Sequence, residues 1–171
     1  MTTLIIVGHP ATNPLDIARD VAARRDLVTV IDLAPLTAML LEARGVDADT
    51  ARIMAIDLAC GMATRLDAIG LHSIVVDAHQ PGETGAWRTR LLLVDTFTLV
   101  ALLSEEERQV RRDMGRDPWI SSDPVTYRTW HKRILNARTH STVTHVDYDV
   151  IIDITRQGPR GETVGLLDAL L

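Results

Sequence analysis

Four side chains able to move a proton or hold a metal follow short apolar runs in this sequence. His9 comes after the run at residues 4–7. Asp32 closes a run that begins at Leu27, and Asp77 and His79 come after Ser73 to Val76. Two carboxylates and two imidazoles can bind a metal or work as acid and base, provided the fold gathers them. The plainer reading makes Asp77 the cap of the next turn and leaves the histidines on the surface. The spacing names no particular metal.

The stretch GHPATNPLD, residues 8 to 16, sits where a strand hands over to a helix. A phosphate loop at such a junction reads G-x-x-x-x-G-K-[ST]. Its glycines let backbone N–H groups surround the phosphates, its lysine reaches the terminal ones, and its hydroxyl binds magnesium. Aligned on Gly8, this chain has Asn13 for the second glycine, Pro14 for the lysine and Leu15 for the hydroxyl residue. Pro14 also lacks an N–H donor. Asp16 puts a carboxylate in the first helical turn, which suits the helix dipole and repels phosphate. What remains is a helix N-terminus, mildly favourable to anions.

A third group is cationic. Arg108, Arg111, Arg112 and Arg116 fall at spacings of three, four and eight, on one face of a helix. Forked guanidinium donors on one face can clamp phosphate. The alternative is a solvated helix paired with Glu105, Glu106 and Glu107. Weaker candidates are His140 and His145 with Asp147 and Asp149, whose spacing fits a polar loop better than a metal site. Cys60 lies on the apolar side of a helical pattern and reads as core. Trp87, Trp119 and Trp130, with Tyr127 near the last, read as packing ahead of base stacking.

The elements that must carry these groups alternate between apolar runs and helical patterns, which predicts an α/β fold with a largely parallel sheet. Strands are expected at residues 3–7, 27–33, 73–76 and 96–103, with a last one from Val146 and Val150 to Ile154. Helices are expected at 14–25, 35–44, 49–69, 83–90, from Ser104, from Asp123-Pro124 to about Ala137, and at 161–170. Asn13 is the expected N-cap of the first, with Pro14 at its first helical position. In residues 49–69, Ile53, Ile56, Cys60, Ala63 and Leu66 recur near the 3.6 period and predict the core-facing side. Ser104 and Glu107 form a capping box.

Four stretches give the whole a family likeness. LIIVGHP resembles the first strand and phosphate loop of the P-loop kinase superfamily of nucleotide and small-molecule kinases. VVDAHQPGETGAWR resembles its third strand with an acidic end, FTLVALLSEEERQVRRDMGRD its fourth strand and arginine-rich lid, and YDVIIDITRQGPRGETVGLLDALL its last strand and helix. Deoxynucleoside monophosphate kinases of phage type and chloramphenicol phosphotransferase-like kinases are the nearest relatives the resemblance suggests. It implies one three-layer α/β/α domain over residues 1–171, a five-stranded sheet of order 2-3-1-4-5, and a lid segment at 104–137. That order would bring His9, Asp32, Asp77 and His79 together at the carboxyl ends of the strands. Asp77 matches the family acid that assists magnesium or the substrate hydroxyl. Gly8 and Asn13 match the phosphate loop, and Arg108, Arg111, Arg112 and Arg116 match the phosphate clamp.

The expected function is binding of a nucleotide or other phosphorylated small molecule, with altered phosphotransfer or hydrolysis. ATP with magnesium is disfavoured by the loop sequence, and no metal is assigned. The alternative is a catalytically inactive regulatory or interaction module on the same fold.

Bulk properties narrow the field. The 171 residues suit one domain with a sizeable core. Net charge is −5, which implies no general attraction to nucleic acid or membrane. Cys60 is the one cysteine, so no internal disulfide forms, and a reducing cytoplasmic compartment is expected. No secretory leader or spanning run is visible. A homo-oligomer is compatible with the composition. Lys132 is the single lysine, so any lysine-dependent chemistry must use it.

Overall fold

A computed structural model describes residues 3–8, 12–78, 85–91, 96–103, 148–154 and 160–171. The sheet is built from continuous apolar runs because both of its faces are covered, as a parallel sheet requires. Its strands are β1 (Thr3–Gly8), β2 (Val28–Asp32), β3 (His72–Asp77), β4 (Phe97–Leu103) and β5 (Val150–Asp153). All pairings are parallel, in the order β2-β3-β1-β4-β5. The expected α/β fold and the expected strand order are both observed.

Parallel strands need crossovers, and helices supply them. Those described are α1 (Pro14–Ala22), α2 (Leu33–Leu41), α3 (Ala48–Ala68) and α4 (Gly85–Leu91), and α5 (Arg160–Asp168) follows the last strand. The two-residue period of the strands sorts the core into two layers. Ile5, Val7, Val75, Leu99 and Ala101 point to the side holding α3, Trp87 and Leu91. Leu4, Ile6, Ile74, Val76, Val100 and Leu102 point to the side holding α1 and Val164 and Leu167 of α5. On that second side Arg25 pairs with Asp168, and Arg160 with Asp20 at 2.7 Å.

Several sequence expectations need correction. The first helix ends at Ala22 rather than residue 25, and the second spans Leu33–Leu41 rather than 35–44. Ile53 is 38% exposed. The buried face of α3 is instead Ala51, Ala55, Ile56, Ala59, Cys60 and Ala63. Four alanines at four-residue spacing let the helix lie close to the sheet, and the close approach outweighs the larger side chain one step round. The expected helices after Ser104 and from Asp123, the lid at 104–137 and Val146 lie outside the described residues.

Cys60 is buried as expected. Burial, helped by the charge of Asp57, pushes its thiol up to about 11 from an ordinary 9.0. The folded chain therefore holds this proton more tightly than the unfolded chain. Stability linked to it is complete below pH 9 and declines as pH rises towards about 11. Urea unfolding at stepped pH should show that decline in the native chain and a smaller one in Cys60→Ala.

Candidate functional site

In a parallel sheet every strand ends on the same edge, and ligands sit there near the point where strand order reverses. Here β1 is flanked by β3 and β4, so chain on either side diverges from Gly8. Val7 pairs with Asp77 and Gly8 with Leu102. Asp32 pairs with Val76 on the next strand out. The backbone therefore sets the strand ends carrying Gly8, Asp32 and Asp77 on one edge.

The side chains are committed differently. Asp77 is 4% exposed. Its parity with Val75 turns it to the α3 side of the sheet. There Oδ2 accepts hydrogen bonds from Arg52 Nη2 of α3 at 2.7 Å and from Trp87 Nε1 of α4 at 2.9 Å. A buried carboxylate needs such partners, because an unpaired one would be driven to neutrality. Asp77 thus ties two helices to the sheet edge. Arg52 keeps a buried Nε without a hydrogen-bond partner.

Asp32 has another task. It is the N-cap of α2, and Oδ1 accepts from Ala34 N at 3.0 Å. Asp32 and Asp77 end neighbouring strands, yet each carboxylate is bound to its own partners. Among the described residues no group of three or more His, Cys, Asp or Glu side chains could hold a metal ion. His9 and His79 lie outside the described residues, as do Arg108, Arg111, Arg112 and Arg116. The same holds for His140, His145, Asp147, Trp119, Tyr127 and Trp130.

The head of α1 has a distinctive backbone. Asn13 stands in the left-handed region, at φ 56 and ψ 48. Glycine occupies that region freely, and asparagine is among the few other residues that tolerate it. The expected side-chain cap is absent, because this backbone turns the side chain away from the helix start. Asn13 Oδ1 is buried and has no partner. The carbonyl of Asn13 still accepts the first helical bond, from Ile17 N at 3.1 Å. Pro14 follows at the start of the helix, and Asp16 lies in the first turn. The entry into the loop is tight: a Cβ on Gly8 would stand 2.6 Å from Thr12 Oγ1 and 3.1 Å from Leu102 Cβ.

Other ion pairs lie away from this edge, and those of Asp149 are at the opposite, amino ends of β4 and β5. Asp57 Oδ1 of α3 meets Arg90 Nε of α4 at 2.6 Å. Asp149, ahead of β5, accepts from Leu99 N at 2.8 Å and pairs with Arg88 at 3.3 Å. Arg88 also stands 6.0 Å over the Phe97 ring.

Sequence reasoning did not find Arg52 or the polar role of Trp87. Arg52 does carry a clue: it is a cation in an alanine-rich half of a helix whose neighbours on that side are buried. Trp87 was read as packing, and it is buried in the core at 1% exposure, with its N–H directed to Asp77.

Solved structures share this architecture. A sugar kinase from a Janibacter species matches with a TM-score of 0.68 at 11% identity, over 97% of this chain and 91% of that one. A gluconokinase from Sinorhizobium meliloti matches at 0.64 and 14% identity, over 98% and 90%. The tunicamycin resistance protein of Deinococcus radiodurans matches at 0.63 and 15% identity, over 99% and 94%. No family model matches the chain. No curated protein matches it either. The chain therefore has a kinase-like α/β fold. Among the described residues, no helix is long and apolar enough to cross a membrane.

Proposed function

We propose that this chain binds a nucleotide or another phosphorylated small molecule at the carboxyl edge of its sheet, through a phosphate loop that no longer seats a magnesium–triphosphate tail. The observation that carries the reading is Asn13. It takes a left-handed backbone, which glycine adopts freely, at the position aligned with a phosphate loop's second glycine. The side chains around it do not fit ATP with magnesium. Pro14 offers neither ammonium nor N–H, Leu15 offers no hydroxyl, and Asp16 adds negative charge in the first turn.

The other parts of the reading follow from position. His9 directly follows β1, and His79 comes two residues after Asp77, so both belong to the same edge and serve as acid and base there. Arg108, Arg111, Arg112 and Arg116 supply the clamp on the ligand's phosphate. Asp77 acts by holding Arg52 and Trp87 in place. With the triphosphate contacts gone, the chemistry this site suits is hydrolysis, or transfer from a donor other than a triphosphate, because phosphoryl transfer depends mainly on positioning and charge neutralisation. The names of the solved neighbours, a gluconokinase and a sugar kinase, favour a small substrate over a macromolecule. A reducing cytoplasmic setting agrees with a buried free thiol.

A second reading has its own observation. Asp32 and Asp77, at the ends of β2 and β3, are already bound to protein groups. That favours a catalytically silent binding or regulatory module on the kinase fold.

Thermal denaturation with a ligand panel separates these outcomes. A ligand at a hundred times its dissociation constant adds about 2.7 kcal/mol, or roughly 5–10 °C for a chain of this size. We expect that shift with one or more monophosphates or sugar phosphates, and its loss in Arg111→Ala. Turnover of the bound ligand supports the enzyme; binding without turnover supports the silent module. No shift with any phosphorylated compound refutes both.

A further inference from the structure

Helix α3 carries an apolar face that the described residues leave uncovered. Met54, Leu58 and Met62 follow one another at four-residue spacing and are 40%, 43% and 43% exposed. Such a row is one ridge of a helix surface. Beside it runs a second row at the same spacing: Asp57, Gly61 and Arg65. Gly61 has open space around it, with nothing within 4 Å of a Cβ built there. Six of the nine exposed large hydrophobic residues among the described ones belong to α2 or α3, including Met39 and Leu41 of α2, which packs along α3.

We propose that this face is a dimer interface, and that its occupant is α3 of a second copy of this chain, crossing antiparallel about a two-fold axis at Gly61. The charges choose that partner. A two-fold contact is self-complementary, so a residue on one side of the axis meets its counterpart on the other. Asp57 and Arg65 stand four residues before and four after Gly61. Antiparallel crossing at Gly61 sets Asp57 of each copy against Arg65 of the other, twice over. Parallel crossing would set like against like. Asp57 is open to such a partner: its side chain is 53% exposed beyond the Arg90 contact. Arg65 is exposed and has no ion pair among the described residues.

The steric pattern agrees. In ridge-into-groove packing, the four-residue ridges of one helix lie in the grooves between those of its partner. Gly61 has no side chain, which deepens the groove beside the Met54–Leu58–Met62 ridge. A glycine weakens a helix interior, and close approach by a second helix gives it a use. The inference is independent of what the carboxyl edge binds.

Sedimentation velocity over a hundredfold dilution series tests it. The wild-type chain should pass reversibly between monomer and dimer. Leu58→Glu, with circular dichroism and thermal midpoint close to wild type, should raise the dissociation constant at least about tenfold. Arg65→Glu alone and Asp57→Arg alone should each be monomeric, since each brings like charges together. An equimolar mixture of those two chains should recover dimers, because every crossing pair is again opposite in sign. This mixing experiment stands even where Leu58→Glu fails to fold. A wild-type chain that stays monomeric throughout overturns the proposal. So does a dimer that is indifferent to these substitutions, or a mixture that does not associate.

Discussion

Asp77→Ala is expected to destabilise the chain by about 3–5 kcal/mol, measured by urea unfolding. The substitution leaves two donors without their acceptor. Arg52 loses its carboxylate 2.7 Å away while its side chain remains only 17% exposed. Its Nε already lacks a partner. Trp87 Nε1, in a residue 1% exposed, loses its acceptor as well. An uncompensated buried charge and an orphaned indole N–H together exceed the value of the hydrogen bonds themselves. The lower part of the range is expected, since Arg52 can reach some water. Adding Arg52→Met should recover much of the loss, because removing both partners removes the unpaired charge. A double variant no better than Asp77→Ala would show that the carboxylate's value lies in the Trp87 bond alone.

Leu102→Ala is expected to cost about 2–5 kcal/mol. Leu102 is fully buried on β4, in the layer formed with α1 and α5. It pairs with Gly8 in the register, and its Cβ lies beneath the loop entry. A truncation there removes transfer free energy and leaves a cavity between the central strands and α1, where both neighbours are held by hydrogen bonds and relax little. The thermal midpoint should fall by roughly 5–15 °C. A loss under about 1 kcal/mol would mean that α1 collapses onto the vacancy.

The strands were legible because a sheet covered on both faces demands unbroken apolar runs, and Leu4 to Val7 and Ser73 to Val76 are such runs. The strand order was not legible from periodicity. Nothing in the runs says that β3 lies between β1 and β2; that came from the likeness of four stretches to a known architecture. Helix ends were less secure. The second helix begins at Leu33, two residues before the expected start, with Asp32 as its N-cap. Ile53 was expected in the core because it recurs near the 3.6 period, whereas alanine spacing decides which side of α3 can approach the sheet.

The site was legible in its backbone and not in its contacts. Strand ends are local features, so Gly8, Asp32 and Asp77 could be placed on one edge. The partners of Asp77 lie 25 residues before it and ten after it. Such contacts depend on how α3 and α4 pack, which a pattern along the chain does not encode. Asn13 was expected to cap α1 because asparagine commonly does. Its left-handed backbone carries no side-chain cap, and the residue pattern did not encode that conformation.

Crystals soaked with ATP and magnesium test the central claim most directly. The account predicts no ordered triphosphate at the head of α1, and density for a monophosphate or sugar phosphate in a parallel soak. Well-ordered β- and γ-phosphoryl groups seated against the first amides of α1, with magnesium beside them, would contradict it.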